Sequence, residues 1–263
     1  MEKQSTLRIE HSSEGVLTVT LDRPHARNAI NTQMGRELRA LFAPLVYAAP
    51  DVRCIVITGA GDKAFCAGGD LKERNGMSDT EWRAQHAIFE EAGHAIMHCA
   101  APVIAAVNGA AFGGGCELAL ACDFIYAAKG ARFALPETSL GIMPGMGGTQ
   151  TLPRAVGERR AKEIIMSARP FSADQGLAWG MVNEVCEDAD LRAKTLETAR
   201  SICANGPVGV QQAKKAIHYG LQADLRTGLA FEIESYNRTV VTEDRLEGVR
   251  AFAEKRKPRF SGR

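Results

Sequence analysis

Residues 110–123 read AAFGGGCELALACD, and this stretch decides the fold. Three consecutive glycines, 113–115, follow the strand-like apolar run PVIAAV at 102–107 and precede the helix-like run LALA at 118–121. A flexible linker is not flanked by a buried strand and a buried helix, so the glycines indicate close approach of backbone to a ligand. A helix that begins at Gly114 directs free N–H groups and the positive end of its dipole outward. That arrangement suits an oxygen atom that gains negative charge.

Two acids and a second glycine loop extend this prediction. Glu117 falls in the first turn of the predicted helix, where a carboxylate tends to stay ionised. Glu137 follows Pro136 in the apolar stretch LPETSLGIMPGMGGTQ, a setting that tends to raise a carboxyl pKa. Two carboxyl groups with pKa values pushed apart suit a base and an acid, although Glu137 is also compatible with a surface loop. The loop at 68–69 follows another strand and can direct a second N–H at the same oxygen, which would make an oxyanion hole.

The rest of the chain predicts an α/β fold. Strand-like runs at 7–10 and 15–24 precede a helix with apolar spacing, and a pattern of strand, glycine loop and helix then repeats. From about residue 190 onward only helical patterns occur, over residues 190–204, 207–220, 225–240 and 243–256. We therefore predict an α/β core over residues 1–190 and a helical region over residues 191–263.

Composition limits the class of protein. The chain has 263 residues and a formal net charge of +1, so it lacks the basic excess expected of a nucleic-acid surface. The seven cysteines are odd in number, form no CxxC pair and mostly lie in apolar runs, which is typical of reduced thiols. The N-terminus has no apolar signal segment, and no apolar run is long enough to cross a membrane. These features predict a cytoplasmic protein with no membrane or nucleic-acid partner.

Two other motifs are compatible with a functional site, but each also has a structural explanation. Gly59, Gly61 and Ala64 follow a strand and loosely match a dinucleotide-binding fingerprint, but the glycines at 68–69 interrupt the helix that this motif requires. Cys116 at a helix N-terminus is compatible with a nucleophile, yet no histidine lies near it in sequence and small buried cysteines are common. We therefore expect neither a dinucleotide cofactor nor a catalytic thiol.

A third alternative is a metal site on the helix predicted over residues 79–100. Four side chains recur at every fourth position along it: His86, Glu90, His94 and His98. They are compatible with metal ligands, or with an ordinary polar helix face. Because no further histidine or cysteine pair supports the first interpretation, no metal is predicted.

Three long motifs in register give the chain a specific resemblance. TGAGDKAFCAGGDLKE (58–73), PVIAAVNGAAFGGGCELALACD (102–123) and FALPETSLGIMPGMGGTQTLPR (133–154) resemble the crotonase superfamily, with enoyl-CoA hydratase as the nearest branch. The likeness extends from LDRPHARNAIN at residue 21 to EGVRAFAEKRKPRF, which ends at residue 260. It implies a spiral of ββα units that forms two roughly perpendicular sheets. It also implies a helical C-terminal region that builds trimers, which usually pair as hexamers.

The resemblance assigns roles to individual residues. The family's two catalytic acids fall on Glu117 and Glu137, and its oxyanion-hole amides fall on Gly69 and Gly114. The implied substrate-binding residues, which would hold the coenzyme A (CoA) moiety or adjoin the catalytic water, are His25, Ala26, Arg27, Ala67, Asp70, Leu71, Gly145, Phe252 and Lys255. The family's adenine-pocket segment falls on His25, Ala26 and Arg27, with Ala67, Asp70 and Leu71 across from it. Of the remaining three, Phe252 and Lys255 match positions that reach the CoA of a neighbouring subunit, and Gly145 matches the backbone position near the water.

The implied activity is hydration of a 2-enoyl-CoA, with CoA as part of the substrate and no separate cofactor. The presence of both glutamates favours hydration over Δ3,Δ2-enoyl-CoA isomerisation, which stays an alternative. Two departures concern acyl specificity: Thr151 stands where many hydratases have arginine, and Leu135 occupies a variable position. A dehydratase of a functionalised acyl-CoA, such as the carnitinyl type, therefore stays open. A non-catalytic binding protein on the same scaffold is a further alternative, since fold alone does not fix function.

Overall fold

A computed structural model describes residues 5–49 and 51–263 of the chain. Within them, ten strands form two sheets. The larger sheet has the order β1-β2-β3-β5-β7-β10, and the smaller has the order β4-β6-β8-β9. The strands are β1 (Leu7–His11), β2 (Val16–Leu21), β3 (Cys54–Gly59), β4 (Ala64–Cys66), β5 (Val103–Val107), β6 (Ala110–Phe112), β7 (Phe124–Ala128), β8 (Arg132–Ala134), β9 (Phe171–Ser172) and β10 (Glu184–Cys186).

Eleven α-helices surround and extend these sheets in the described residues. They are α1 (Thr32–Phe42), α2 (Leu71–Arg74), α3 (Asp79–Met97), α4 (Gly114–Ala121), α5 (Gly148–Val156), α6 (Glu158–Ser167), α7 (Ala173–Ala178), α8 (Leu191–Cys203), α9 (Pro207–Gly220), α10 (Leu225–Val240) and α11 (Glu243–Ala253). The start of α3 has a capping box, in which the side chains of Ser78 and Glu81 each accept a hydrogen bond from the other residue's backbone N–H.

Successive ββα units generate the spiral that the resemblance implied. In each of the pairs β3–β4, β5–β6 and β7–β8, the first strand joins the larger sheet and the second joins the smaller sheet. Strands β2, β3, β5 and β7 pair in parallel, and so do β4, β6 and β8. Every residue of β5 is buried, as expected for a central strand of a parallel sheet covered on both faces. The predicted fold class is confirmed.

The segment around Gly59 is followed by a strand and not by the helix that a dinucleotide-binding fingerprint requires. Strand β3 ends at Gly59, and the chain continues directly into β4 of the other sheet. No helix follows whose N-terminus could hold a pyrophosphate, so the structural context of that motif is absent here. A side chain at Gly59 would overlap the backbone of Ala64 and Phe65, which explains the glycine.

The interior of the core holds the cysteines. All seven are buried and unpaired: Cys54, Cys66, Cys99, Cys116, Cys122, Cys186 and Cys203. Burial raises the pKa of the Cys66 thiol to about 12 and that of the Cys99 thiol to about 11. They therefore pack as small apolar side chains, as their positions in apolar runs predicted.

The helices after residue 190 begin near the predicted positions. Helix α8 packs on the larger sheet, whereas α9 and α10 form a hairpin that carries a broad apolar surface. Its exposed large apolar residues are Ile217, Tyr219, Leu221, Leu225, Leu229, Ile233, Tyr236 and Val240. The domain boundary at 190 stays a prediction. Among the helices of the described residues, none combines the length and the apolar character needed to span a membrane.

Candidate active site

A cavity of about 580 Å³ collects most of the predicted site residues. The β4–α2 turn, the start of α4, the segment 136–146 and one face of α3 form its walls. It is lined by Ile30, Ala67, Gly68, Gly69, Leu71, Arg74, Trp82, Arg83, His86, Phe89, Phe112, Gly113, Gly114, Glu117, Pro136, Glu137, Leu140, Ile142, Met143, Pro144, Gly145 and Met146. Both predicted acids and both predicted amides therefore adjoin one space.

Each position of the glycine triplet favours glycine for a different physical reason. Gly113 has a φ of +52°, and a Cβ there would lie 3.2 Å from Oε1 of Glu137. Gly114 is the first residue of α4. A Cβ on Gly115 would overlap the carbonyl oxygen of Cys66, so its absence lets α4 rest directly on β4. The triplet therefore packs a helix N-terminus against the smaller sheet and leaves room for a carboxyl group.

The amides of Gly69 and Gly114 lie beside each other. A Cβ on Gly114 would be 3.7 Å from the nitrogen of Gly69. Ile30 clamps the Gly69 loop, because its N–H donates to Gly68 at 2.8 Å and its carbonyl accepts from Asp70 at 2.9 Å. Neither the Gly69 N–H nor the Gly114 N–H donates a backbone hydrogen bond within residues 5–49 and 51–263. Two adjacent free donors at a cavity wall can bind one oxygen atom.

Glu117 lies where two helices begin. It stands in the first turn of α4, and its Oε1 accepts hydrogen bonds from the backbone N–H groups of Met146 and Gly148, each at 2.8 Å. Gly148 is the first residue of α5. Burial nevertheless raises the pKa of Glu117, and the opposing N–H groups of Gly148, Met146 and Gly145 do not cancel it. The tendency of this acid to stay ionised at its helix start therefore stays a prediction, with the backbone N–H groups favouring the charged form and burial opposing it.

Among the described residues, the carboxyl group of Glu137 has fewer hydrogen-bond partners than that of Glu117. It begins a short 3-10 turn over Glu137–Leu140 directly after Pro136, and it is buried. Its Oε2 is buried and has no hydrogen-bond partner among the described residues. Burial, with a smaller contribution from the charge of Glu117, raises the pKa of Glu137 to about 7. The predicted direction for this residue is confirmed, and such a carboxyl group can donate a proton near neutral pH.

The predicted adenine-pocket segment lies next to Ala67 but outside the cavity wall. Residues 24–26 form a 3-10 turn, and Arg27 has a φ of +51°. The carbonyl of Arg27 accepts a hydrogen bond of 3.0 Å from the N–H of Ala67. His25 and Ala26 thus stand beside the loop that holds the Gly69 amide, whereas only Ala67 of this group lines the cavity.

Asp70 and Leu71 have different structural roles. The Asp70 side chain accepts hydrogen bonds from the N–H groups of Lys72 and Glu73 at the start of α2. It also pairs with Arg23 at 2.9 Å, and both side chains are largely buried. Asp70 therefore fixes the loop, and its carboxylate is already bonded. Leu71 is half exposed and lines the cavity.

Of the last three predicted binding residues, Gly145 lies in the cavity wall, and Phe252 and Lys255 lie outside it. Gly145 lines the cavity, and a Cβ there would overlap the ring of His86. Phe252 and Lys255 lie at the end of α11, outside the cavity of their own chain, and Phe252 is 87% exposed. This placement leaves them available to a second copy of the chain, as the family resemblance implied.

Cys116 does not support nucleophilic chemistry. It is fully buried in α4, and desolvation raises the pKa of its thiol well above the usual range. The charges of Glu117 and Glu137 raise that pKa further. A neutral, enclosed thiol is a poor nucleophile, so Cys116 serves the packing of α4.

Sequence analysis missed the α3 wall of the cavity and the adjoining Arg74. Trp82, His86 and Phe89 recur at the spacing of one helix face, and all three line the cavity. That spacing is a sequence signal for an apolar helix face, which the histidine pattern on the same helix overlaps. His86 faces the cavity, whereas His98 packs against His218 of α9 with ring centroids 5.0 Å apart. No group of three metal-ligating side chains occurs in the described part of the chain.

Comparisons with known proteins agree with this geometry. The family model described as "Enoyl-CoA hydratase/isomerase" matches residues 11–263. YngF of Bacillus subtilis is 44% identical over 250 residues, covering 95% of this chain and 96% of that protein. The short-chain-enoyl-CoA hydratase of Clostridium acetobutylicum is 42% identical over 242 residues, covering 92% of each. A crystal structure of an enoyl-CoA hydratase from Bacillus anthracis superposes with a TM-score of 0.95 at 41% identity, covering 98% of this chain and all of that one.

Proposed function

The chain belongs to the enoyl-CoA hydratase/isomerase family, and on that premise we propose that it is a hydro-lyase that adds water reversibly to a 2-enoyl-CoA thioester. One observation carries the proposal. Two buried carboxyl groups, Glu117 and Glu137, share one cavity with the free N–H groups of Gly69 and Gly114. Hydration needs these parts: a base, an acid and a site for a negatively charged oxygen.

The two amides would polarise the thioester. With its carbonyl oxygen bound to the Gly69 and Gly114 N–H groups, electron density moves from the double bond toward that oxygen, and C3 becomes electrophilic. The N-terminal end of α4 adds a favourable potential at the same place. In comparable sites one such donor contributes about 2.7–4 kcal/mol to transition-state stabilisation.

The two acids would move the protons. Glu117 is the better stabilised carboxylate, because backbone N–H groups bind its Oε1. It takes a proton from water as the oxygen of that water bonds to C3, and the π electrons form an enolate held by the amides. Glu137, with its pKa near 7 and an unpartnered oxygen, gives its proton to C2. Glu117 ends protonated and Glu137 ionised, and exchange with solvent restores both.

The surrounding residues would hold CoA. We assign the adenine end to the segment His25–Arg27 with Ala67, and the acyl end to the cavity. Phe252 and Lys255 would reach the CoA of a neighbouring copy, which requires an oligomer, and the family resemblance favours a trimer-based one. If so, Lys255→Ala weakens CoA binding and leaves turnover at saturation largely unchanged, because an ammonium attracts phosphate. An unaltered affinity would contradict this assignment.

Hydration is tested with a series of 2-enoyl-CoA thioesters of increasing chain length. We expect loss of the absorbance of the conjugated thioester, and formation of the 3-hydroxyacyl product confirmed by mass spectrometry. The isomerase alternative is tested in parallel with 3-enoyl-CoA substrates. Conversion of 3-enoyl to 2-enoyl thioesters without hydration of either would replace the proposed activity.

A further inference from the structure

Arg74 brings a positive charge into the cavity beside the proposed oxyanion site. It is the last residue of α2, and its side chain lines the cavity. A Cβ on Gly69 would lie 3.4 Å from both Cζ and Nη1 of Arg74. The guanidinium therefore stands next to the loop whose amide would bind the thioester oxygen.

A buried glutamine fixes the direction of this guanidinium. The Nε of Arg74 donates to Oε1 of Gln85 at 2.8 Å. The Nε2 of Gln85 donates to Thr32 and to Glu73, both at 2.8 Å, so its amide is oriented with the oxygen toward Arg74. Gln85 is 3% exposed, which indicates a network built to hold the arginine in place.

Aromatic rings cover the guanidinium but do not neutralise it. Its Cζ lies 4.4 Å from the ring centroid of Trp82 and 5.4 Å from that of Phe89. Neither Nη atom donates a hydrogen bond, and no carboxylate forms an ion pair with Arg74, within residues 5–49 and 51–263. The nearby Glu73 already accepts from Thr32 and Gln85 through Oε2. Desolvation lowers the pKa of Arg74, and the charge of Glu73, which forms no ion pair with it, offsets this only in part.

We propose that Arg74 binds a carboxylate on the acyl group, so that the substrate class is a short 2-enoyl-CoA with a second, free carboxylate. The inference rests on the proposed hydratase function. A guanidinium presents paired donors that match a carboxylate, whereas a plain hydrocarbon chain would leave it desolvated and unpaired. The phosphates of CoA are separated from the thioester by the whole pantetheine arm. Because Arg74 adjoins Gly69, the carboxylate must lie close to the thioester, on a short chain.

The test compares glutaconyl-CoA with crotonyl-CoA and pent-2-enoyl-CoA. Glutaconyl-CoA is crotonyl-CoA with a carboxylate on the terminal methyl group, and pentenoyl-CoA has the same chain length without the charge. We expect the native protein to hydrate glutaconyl-CoA with the highest kcat/KM. Arg74→Gln should lower that value by about 10- to 100-fold more than it lowers the value for crotonyl-CoA or pent-2-enoyl-CoA. Arg74→Lys should lose less, because it keeps the charge without the paired donors.

Arg160→Gln is the matched control. Arg160 stacks on Trp179 at 4.5 Å, much as Arg74 stacks on Trp82, but it pairs with Glu163 and lies outside the cavity. We expect no change in the ratio of the substrates for this variant. Equal losses for all three substrates in Arg74→Gln would overturn the inference while hydration itself stands.

Calorimetry with saturated thioesters separates the two proposals. Glutaryl-CoA and butyryl-CoA differ by the same carboxylate group and do not react, so their binding is measured whether or not the protein is a hydratase. Preferential binding of glutaryl-CoA that disappears in Arg74→Gln supports carboxylate recognition even if no thioester is hydrated. Equal binding of both thioesters by the native protein overturns it.

Discussion

The Oε1 atom of Glu117 accepts a hydrogen bond from the backbone N–H of Gly148 at 2.8 Å, and this bond joins the first turn of α4 to the first residue of α5. The two helices belong to successive ββα units of the spiral. A carboxylate held between two helix N-termini keeps its position through backbone groups alone. Its placement therefore depends on the absence of a side chain at residue 148.

We predict that Gly148→Ala lowers turnover by up to about 100-fold, because a misplaced catalytic group costs that much in comparable sites. A Cβ at this position would lie 2.9 Å from Oε1 and 3.0 Å from Cγ of Glu117, so the acid must shift. Steady-state kinetics on the best 2-enoyl-CoA substrate measures the loss. Gly209→Ala is the control, since no atom lies within 4 Å of a Cβ there. Full activity of Gly148→Ala would show that the position of Glu117 is not critical.

We predict that Glu117→Gln and Glu137→Gln each lower turnover by at least about 100-fold, the lower range for a positioned acid or base. Acyl-CoA binding should survive in both variants, because glutamine keeps the shape of the side chain. The double variant should lose far less than the product of the single losses, since both acids serve one addition of water. A near-native rate in either single variant would exclude the two-carboxylate mechanism.

The rate of hydration should fall as pH rises through the titration of the acid pair. Glu137 must carry its proton to protonate C2, and its pKa is raised to about 7. The kcat/KM for hydration is therefore expected to decline above about pH 7, approaching tenfold per pH unit. A pH profile of kcat/KM with crotonyl-CoA measures this limb. A rate that stays level to pH 9 would remove Glu137 from the role of proton donor.

Glu137 should also make folding less favourable at higher pH. Below the ordinary value of 4.5 the carboxyl group is protonated in both folded and unfolded chains, and above about pH 7 it is ionised in both. Between those limits the unfolded chain releases the proton first, so folding stability decreases as pH rises. We predict that Glu137→Gln raises the free energy of unfolding at pH 8, by up to about 3 kcal/mol, and leaves it unchanged at pH 4.

Urea unfolding at the two pH values measures this difference. Glu197→Gln, at an exposed position of α8, is the control and should change neither value. Equal effects of Glu137→Gln at pH 4 and pH 8 would contradict the raised pKa.

We predict that the chain self-associates through the hairpin of α9 and α10. Leu229 and Ile233 are each more than half exposed on α10, and Ile217 and Leu221, in and just after α9, are exposed on the same hairpin; clustered exposed apolar side chains of this kind mark interaction surfaces. Sedimentation velocity at micromolar concentration should show a trimer or a multiple of it. The double substitution Leu229→Glu and Ile233→Glu should shift the protein toward monomer. A monomeric native protein would refute the prediction.

Sequence patterns predicted the long elements well and the short strands poorly. Helices α3, α9 and α10 begin and end close to their predicted limits, because apolar spacing over three or more turns is specific. Strands β4 and β6 have three residues each and were predicted as glycine loops. Their strand geometry comes from pairing with each other across the smaller sheet, a contact that no local pattern encodes.

The electrostatics of the site show the same limit. The helix-start position of Glu117 was visible in the sequence, but the burial that raises its pKa depends on packing by α5 and the segment before it. The place of Arg74 in the cavity likewise depends on Gln85, which is eleven residues away in sequence and whose amide is oriented by Thr32. Sequence alone supplied the residue types, and tertiary contacts supplied their chemical state.

The reaction of the seven buried thiols with a labelling reagent can report local unfolding of the chain. A thiol reagent reacts with a cysteine that is both solvent-accessible and deprotonated. In the folded protein all seven cysteines are buried, and burial favours the neutral thiol. Modification therefore proceeds through transient local unfolding, and its rate measures the free energy of each opening. Cys66 ends β4 just before the loop at 68–69 and Cys116 lies in the first turn of α4, whereas Cys186 and Cys203 lie in β10 and α8. A molecule bound in the cavity should slow labelling of the first pair more than the second, so occupancy becomes visible without any turnover.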